Sequence, residues 1–511
     1  MHMRQDFSWQ FFLLIVLLSI TPFILFLGKN FLLTEFFTAK YFWLAIIYCL
    51  SFVFFSVCAN FLSKKILIFI LFFAYFSFLQ FYFFDIEQFL KVYKDGSTGF
   101  YVLFFIVFIS FIAALSSKSS IFRNFVFILL FLNIVISVYN LIPSTERYFY
   151  TFFKTTNIID NSSNTKNFKS VKYPNIFYIV PDGLASPKIL KNYANIDYKD
   201  SIKRFEEKGF NIPKHNYSSY NATYLSLAAL FKMDYPVTEK SPTYKNRSNF
   251  YPSVREKNPE LLQYLNTNNY EFIIVPPLWG GGCPKSREYK CLTPETNSYY
   301  EKFFQDYAVK TFFQNSLISR ILGRYLPYKN KNKMDDAAKT VLDKIKTNPE
   351  IWSEGGVFTM IHMMMPHTPY REKNCSITDR YLAPSKEGYK SSVYCTFNRI
   401  HEISDIIIKN YPKATIVVQS DHGLNPETFS KNKKFVEFSN SLIDHRLAAF
   451  TAVRGCESDQ AAKLNQVNIV KYIIECLVSG IPTKQLENKS YFGFYESTPD
   501  FGKVFRVRQN K

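Results

Sequence analysis

Five long apolar stretches, at residues 9–28, 41–62, 66–84, 100–115 and 121–142, occupy the start of this 511-residue chain, and very little charge interrupts them. A helix needs about 20 apolar residues to cross the hydrocarbon of a bilayer, so four stretches qualify outright and the stretch at 100–115 is slightly short. Such a segment cannot share one water-exposed core with the Lys-, Asn-, Asp- and Tyr-rich remainder. The expected organisation is an α-helical membrane domain of five transmembrane helices over 1–142, a linker over 143–172 and a soluble domain over 173–511. The first stretch is too long for a signal peptide, lacks a small-x-small cleavage site and is followed by further spans, so it is expected to be retained.

Charge limits the partners. The net charge is +20, with nine Lys/Arg against five Asp/Glu in residues 1–142 and 52 against 36 beyond. That balance admits anionic lipid, anionic glycan or nucleic acid. No helix-turn-helix, zinc-finger or RNA-recognition pattern is present and the basic residues are scattered, so no nucleic acid partner is expected.

Loop charges set Arg4, Lys64, Lys65, Lys118 and Arg123 on one side of the membrane against Lys29, Lys40, Lys91 and Lys94 on the other. The excess slightly favours a cytoplasmic N-terminus. Cysteine usage points the same way. Cys49 and Cys58 fall within the second span, but the other six form close couples, Cys283 with Cys291, Cys375 with Cys395 and Cys456 with Cys476. An even set of near neighbours implies disulfides and an oxidising compartment, the alternative being six reduced cysteines in a cytosolic domain. An odd number of spans from a cytoplasmic N-terminus delivers the large domain to that compartment.

Beyond a polar run at 155–172, β-rich apolar segments at 175–180, 270–275, 356–363, 414–419 and 447–453 alternate with helical patterns at 259–265, 334–346, 391–409 and 467–478. This alternation predicts an α/β domain with a mainly parallel sheet, a fold that binds ligands at the carboxyl ends of its strands. Polar residues stand at those ends. The run PNIFYIVPDG ends on Asp182, and ATIVVQSDHG ends on Asp421 and His422. Two aspartates and a histidine offer oxygen and nitrogen donors suited to Zn²⁺ or Mn²⁺.

In YNATYLSLAALFKM, Thr223 precedes an apolar run with helical spacing. There its hydroxyl either caps the helix or, with a metal to lower its pKa, serves as a nucleophile where free N–H groups favour phosphate. The segment HMMMPHTPY places His362 and His367 on either side of a turn just after another strand, with His367 expected to be exposed in the cleft and to contact substrate. His401 and His445 have no comparable setting.

Taken in order, IVPDG, NATYLSLAAL, HMMMPHTPY and QSDHG resemble the sulfatase-like branch of the alkaline phosphatase superfamily, and the five-span layout resembles lipid A phosphoethanolamine transferases and lipoteichoic acid synthases. The resemblance implies that Asp182, Thr223, Asp421 and His422 ligate one divalent metal, zinc first and manganese or magnesium as alternatives. It also implies that Thr223 carries the transferred phosphoryl group and that His367 holds the phosphate or protonates the leaving group, with His362 as a further substrate contact. The stretch PPLWGGGCPKSREYKCL resembles a disulfide loop that sets a lysine, here Lys285, beside the active site between Cys283 and Cys291.

The expected activity is transfer of a phospho-alcohol head group from phosphatidylethanolamine or phosphatidylglycerol to a cell-envelope glycan or glycolipid. The expected place is the bacterial inner membrane, with the catalytic domain in the periplasm. A phosphodiesterase of the same superfamily and a non-enzymatic lipid-binding relative are the alternatives. Two departures stand out: the transferases usually carry glutamate where this chain has Asp182, and sulfatases need Pro and Arg where Leu225 and Leu227 stand. A basic amphipathic pattern at 309–328, with Phe312, Phe313, Leu317, Ile321 and Leu322 against Lys310, Arg320 and Arg324, is read either as a helix on the lipid surface or as a half-buried helix of the soluble domain.

Overall fold

The structure is a computed structural model and describes residues 46, 173–192, 194–240, 259–275, 289–292, 337–368, 370–376, 385–424, 440–482, 485–493 and 504–507. The five apolar stretches lie outside these residues, Ile46 excepted, as does the pattern at 309–328. Among the described residues no helix is long and apolar enough to cross a membrane. Apart from Ile46, the described residues belong to a compact unit running over 169–295 and 330–511.

Among the described residues, eight strands organise this unit: β1 (Ile176–Asp182), β2 (Glu271–Val275), β3 (Lys290–Cys291), β4 (Val357–Pro366), β5 (Thr415–Gln419), β6 (Thr451–Arg454), β7 (Ser490–Gly493) and β8 (Val504–Val507). Among them run helices α1 (Pro187–Asn192), α2 (Lys199–Glu207), α3 (Thr223–Lys232), α4 (Glu260–Thr267), α5 (Ala337–Thr347), α6 (Glu350–Ser353), α7 (Lys386–Asn410), α8 (Asn440–Leu447), α9 (Ser458–Ala461) and α10 (Ile469–Ser479). The main sheet has the order β3-β2-β4-β1-β5-β6. All its pairings are parallel except β5 with β6, which is antiparallel. The expected mixed, mainly parallel α/β core is therefore present.

Burial on both faces explains why the central strands read as unbroken apolar runs. Successive residues of a strand point to opposite faces. Phe177, Ile179, Ile361, Ile416 and Val418 pack on one face with α5 and α7 through residues such as Val341, Val393 and Ile400. Ile176, Tyr178, Phe358, Met360 and Val417 pack on the other face against Leu230, Leu262, Ile473 and Ile474 from α3, α4 and α10. Asn175 ties the sheet's lower edge together, donating to the Trp352 carbonyl at 2.7 Å and accepting from Val357 N–H at 3.1 Å.

Two expectations are corrected. The apolar segment 447–453 is not one strand: Leu447 ends α8, and the strand begins only at Thr451. The leading residues are apolar because the chain passes through the core there, which periodicity alone does not distinguish from a strand. The histidines also do not flank a turn, because β4 continues to Pro366 and holds His362 within it. In addition, β7 and β8 form a small antiparallel sheet that the sequence reading did not anticipate.

Cys375–Cys395 and Cys456–Cys476 are disulfides, with Cα separations of 5.6 and 6.2 Å. Cys291 is also disulfide-bonded. Its expected partner Cys283, like Lys285, lies outside the described residues.

Candidate active site

Strand order places the chemistry. In parallel strands all carboxyl ends lie along one edge, and β1 sits between β4 and β5. Asp182 is the last residue of β1, while Asp421 and His422 follow β5. His362 stands in β4 opposite Val180. A glycine is needed after Asp182 because the turn takes Gly183 to φ +77°, and a Cβ there would sit 3.4 Å from His422 Cε1.

Asp182, Asp421 and His422 form a buried group whose donor atoms lie within 4.8 Å of one another. His422 Nε2 is 3.6 Å from Asp182 Oδ1 and 3.4 Å from Asp421 Oδ2. The Thr223 hydroxyl lies 3.2 Å from the same Nε2. His362 Nε2 is 3.9 Å from Asp182 Oδ2. The four residues expected around one ion are thus brought together, and His362 joins them from the neighbouring strand.

Thr223 is the first residue of α3, preceded by Ala222 in extended conformation, so it is not the N-cap. Its side chain is spent on the carboxylate–imidazole cluster instead. Apolar Ala228, Ala229 and Leu230 bury the helix behind it.

The electrostatics suit a cation. Asp182 Oδ1, Asp421 Oδ2 and His362 Nε2 are buried and have no hydrogen-bond partner in the protein. Burial, then the nearby Asp421, raises the Asp182 carboxyl well above its ordinary value, with Arg446 and Thr223 acting against the shift. Burial alone would raise Asp421 too, but His422, His362, the Thr223 hydroxyl and the Gly183 N–H hold it low. His422 falls to about 3, through burial first and the Arg446 charge second. Its Nδ1 lies 2.9 Å from the Gly423 carbonyl, so Nδ1 carries the proton and donates, leaving the Nε2 lone pair to face the cluster. Burial likewise lowers His362. Neutral imidazoles beside orphaned carboxylate oxygens form a donor set that fits Zn²⁺ or Mn²⁺.

His367 is half-buried rather than openly exposed, and its Nδ1 lies 2.7 Å from the Thr368 carbonyl. Burial lowers its pKa most, with the field of Arg446 adding to the shift. His401 and His445 do not belong to the cluster. His401 packs its ring 4.1 Å from that of Phe205 in the core.

Several residues that hold the site had no sequence signal. Gln466 uses both ends of its amide: Oε1 accepts from Ser219 N–H at 2.7 Å and Nε2 donates to the Ser420 carbonyl at 2.8 Å. It therefore clamps the segment before Thr223 to the segment before Asp421. Asn221 exchanges two hydrogen bonds with the Gly493 backbone, at 3.0 and 2.8 Å, fastening the Thr223 arm to β7. The Ser420 hydroxyl accepts from Leu184 N–H at 2.9 Å, and its single proton serves the Pro181 or the His422 carbonyl. An isolated Gln or Asn in a loop carries no pattern that marks it for this work.

No protein-family model matches the chain, and no curated protein matches it. Solved structures similar to it include the integral membrane lipooligosaccharide phosphoethanolamine transferase A (EptA) of Neisseria meningitidis, at 12% identity and a TM-score of 0.36, covering 91% of this chain and 95% of that one. The C-terminal periplasmic domain of EcEptC from Escherichia coli, in complex with zinc, has 11% identity, a TM-score of 0.36 and coverage of 62% and 85%. The phosphonate monoester hydrolase of Agrobacterium radiobacter has 10% identity, a TM-score of 0.37 and coverage of 64% and 82%. At these identities and scores, the chemistry has to be read from the residues of this chain.

Proposed function

We propose that this chain is a membrane-anchored, metal-dependent phosphotransferase. In this reading it moves phosphoethanolamine or phosphoglycerol from a membrane phospholipid to a cell-envelope glycan or glycolipid, through a phospho-threonine at Thr223. The observation that carries it is the Thr223 hydroxyl, 3.2 Å from His422 Nε2 at the edge of the buried Asp182–Asp421–His422 group. An N-terminal helical hydroxyl set against orphaned metal donors has a chemical use that a capping hydroxyl lacks.

Asp182, Thr223, Asp421 and His422 would hold one divalent cation, zinc by preference. When bound, the cation supplies Lewis-acid charge that favours ionised threonine and offsets charge on phosphoryl oxygens. Thr223 Oγ forms a bond to phosphorus and the bond to the diacylglycerol oxygen breaks. Thr223 gives up one proton and the departing oxygen takes one up. His367, kept neutral by burial, is the group assigned to carry it. In the second half an acceptor hydroxyl attacks phosphorus, its proton is removed and Thr223 is restored. The five apolar stretches would anchor this domain beside a donor that stays in the bilayer, and domain boundaries at 142 and 172 belong to the same proposal. Lys285, within a Cys283–Cys291 loop, and His362 are assigned to the substrate.

The test is incubation of the zinc-loaded protein with head-group-labelled phosphatidylethanolamine or phosphatidylglycerol, with and without lipid A or glycan acceptors. Label on the acceptor, and on Thr223 when acceptor is omitted, is the expected result. Free labelled head group with no labelled acceptor would make the protein a hydrolase. No cleavage of either lipid would defeat the reading.

A further inference from the structure

Arg446 is absent from every motif that the sequence offered, yet it sits beside the cluster. It lies in the last turn of α8 and is 8% exposed. The helix end is pressed onto the residue after His422: Gly423 N–H donates to the Arg446 carbonyl at 2.7 Å. A Cβ on Gly423 would come within 2.2 Å of the His445 carbonyl oxygen and 2.6 Å of that of Ala448. Only glycine permits this approach, which brings the arginine against the metal-donor loop.

The guanidinium is poorly satisfied there. Its Nε is buried without a partner, and its hydrogen bond among the described residues is a long one, from Nη1 to the Gly423 carbonyl at 3.5 Å. Among the described residues no carboxylate lies within ion-pair distance of it. A guanidinium offers five donors in a fixed fork and does not shed its charge, so leaving it buried and unpaired is costly. Its field nevertheless reaches the site, where it acts on Asp182, His422 and His367. A phosphate group of the substrate would match the fork of this guanidinium.

We propose that Arg446 is a substrate-binding residue whose guanidinium pairs with the phosphoryl oxygens of the donor beside Thr223. This rests on the phosphotransfer reading above and names the group that receives the anion. It also accounts for a cation placed by a helix end at a site already designed to hold a metal: two separated positive charges can address different oxygens of one phosphoryl group.

The experiment uses the full chain in detergent, loaded with zinc, with inorganic phosphate as probe in calorimetric titration. Zinc content and unfolding midpoint are measured on each sample. Arg446→Met keeps the aliphatic stem and removes the charge. Phosphate binding is expected to weaken tenfold or more, with zinc retained and the midpoint close to native. Arg446→Lys keeps a cation but not the fork, and an intermediate, several-fold loss is expected. Phosphate affinity within twofold of native in zinc-bound Arg446→Met overturns the assignment. Should that variant fail to fold, Arg446→Lys decides by the same twofold criterion. A native protein that binds zinc but no phosphate would overturn the phosphotransfer reading and this inference with it, and that result is read on native protein alone.

Discussion

Thr223, Gln466 and His401 give the sharpest tests at the scale of single residues. Thr223→Ala should lower turnover roughly a thousandfold or more while leaving the unfolding midpoint of the metal-free protein nearly unchanged, because the hydroxyl supports no cap. Gln466→Ala removes a clamp between two catalytic segments. We expect a loss of about 1–3 kcal/mol of stability from the backbone groups left unpaired, and a fall in kcat that exceeds the change in KM. His401 is pushed down to about 4 by burial first and by Lys208 and Arg204 after it. A depressed folded pKa means that the unfolded chain takes up a proton first, so stability is complete above the ordinary 6.5 and is lost as pH falls towards 4. His422, His362 and His367 are lowered too, so the readout is a difference: His401→Phe should flatten the fall in unfolding midpoint between pH 6.5 and 4 relative to native. An unchanged slope would remove His401 as its source. The cluster of Asp182, Asp421 and His422 was legible at this scale because Asp-Gly and Asp-His follow apolar strands. Arg446, Gln466 and Asn221 were not, because their significance comes from partners in contact only after folding.

Each element positions the site through a few close contacts. Gly423→Ala would drive a methyl into the backbone of α8, which cannot yield as a flexible side chain could, and should cost about 1–3 kcal/mol and displace Arg446. Thermal unfolding together with phosphate titration measures both effects. The Cys375–Cys395 bridge spans a separation of 20 residues between the segment after β4 and α7, and its removal by a double serine substitution should lower stability by about 3 kcal/mol in denaturant titration. The four central strands were readable because burial on both faces demands continuous apolar runs of the right length. The segment 447–453 misled because a core-crossing link is equally apolar. The pair β7–β8 was missed because four-residue strands near the chain's end leave too short a period to recognise, although they anchor the arm that carries Thr223.

Over the whole molecule, the proposed metal site would couple folding to ion binding. The two aspartates, Thr223 and His422 come from segments far apart in sequence, so an ion bound to them stabilises the folded chain alone. Chelation should lower the unfolding midpoint and abolish transfer, and zinc should restore both. Where zinc exceeds its dissociation constant about a thousandfold, the stabilisation is about 4 kcal/mol. A midpoint indifferent to chelator in a preparation that bound zinc would contradict this coupling. The order of the main sheet has one more implication. The ribosome makes β1 first, at Ile176–Asp182, yet its neighbours in the sheet start only at Val357 and Thr415. The middle of the molecule is therefore synthesised long before either flank, and a nascent chain must carry a greasy ribbon with two open edges until most of the message has been read. Chaperones that shield such ribbons during synthesis would matter more to the yield of this protein than to that of one built from neighbouring hairpins.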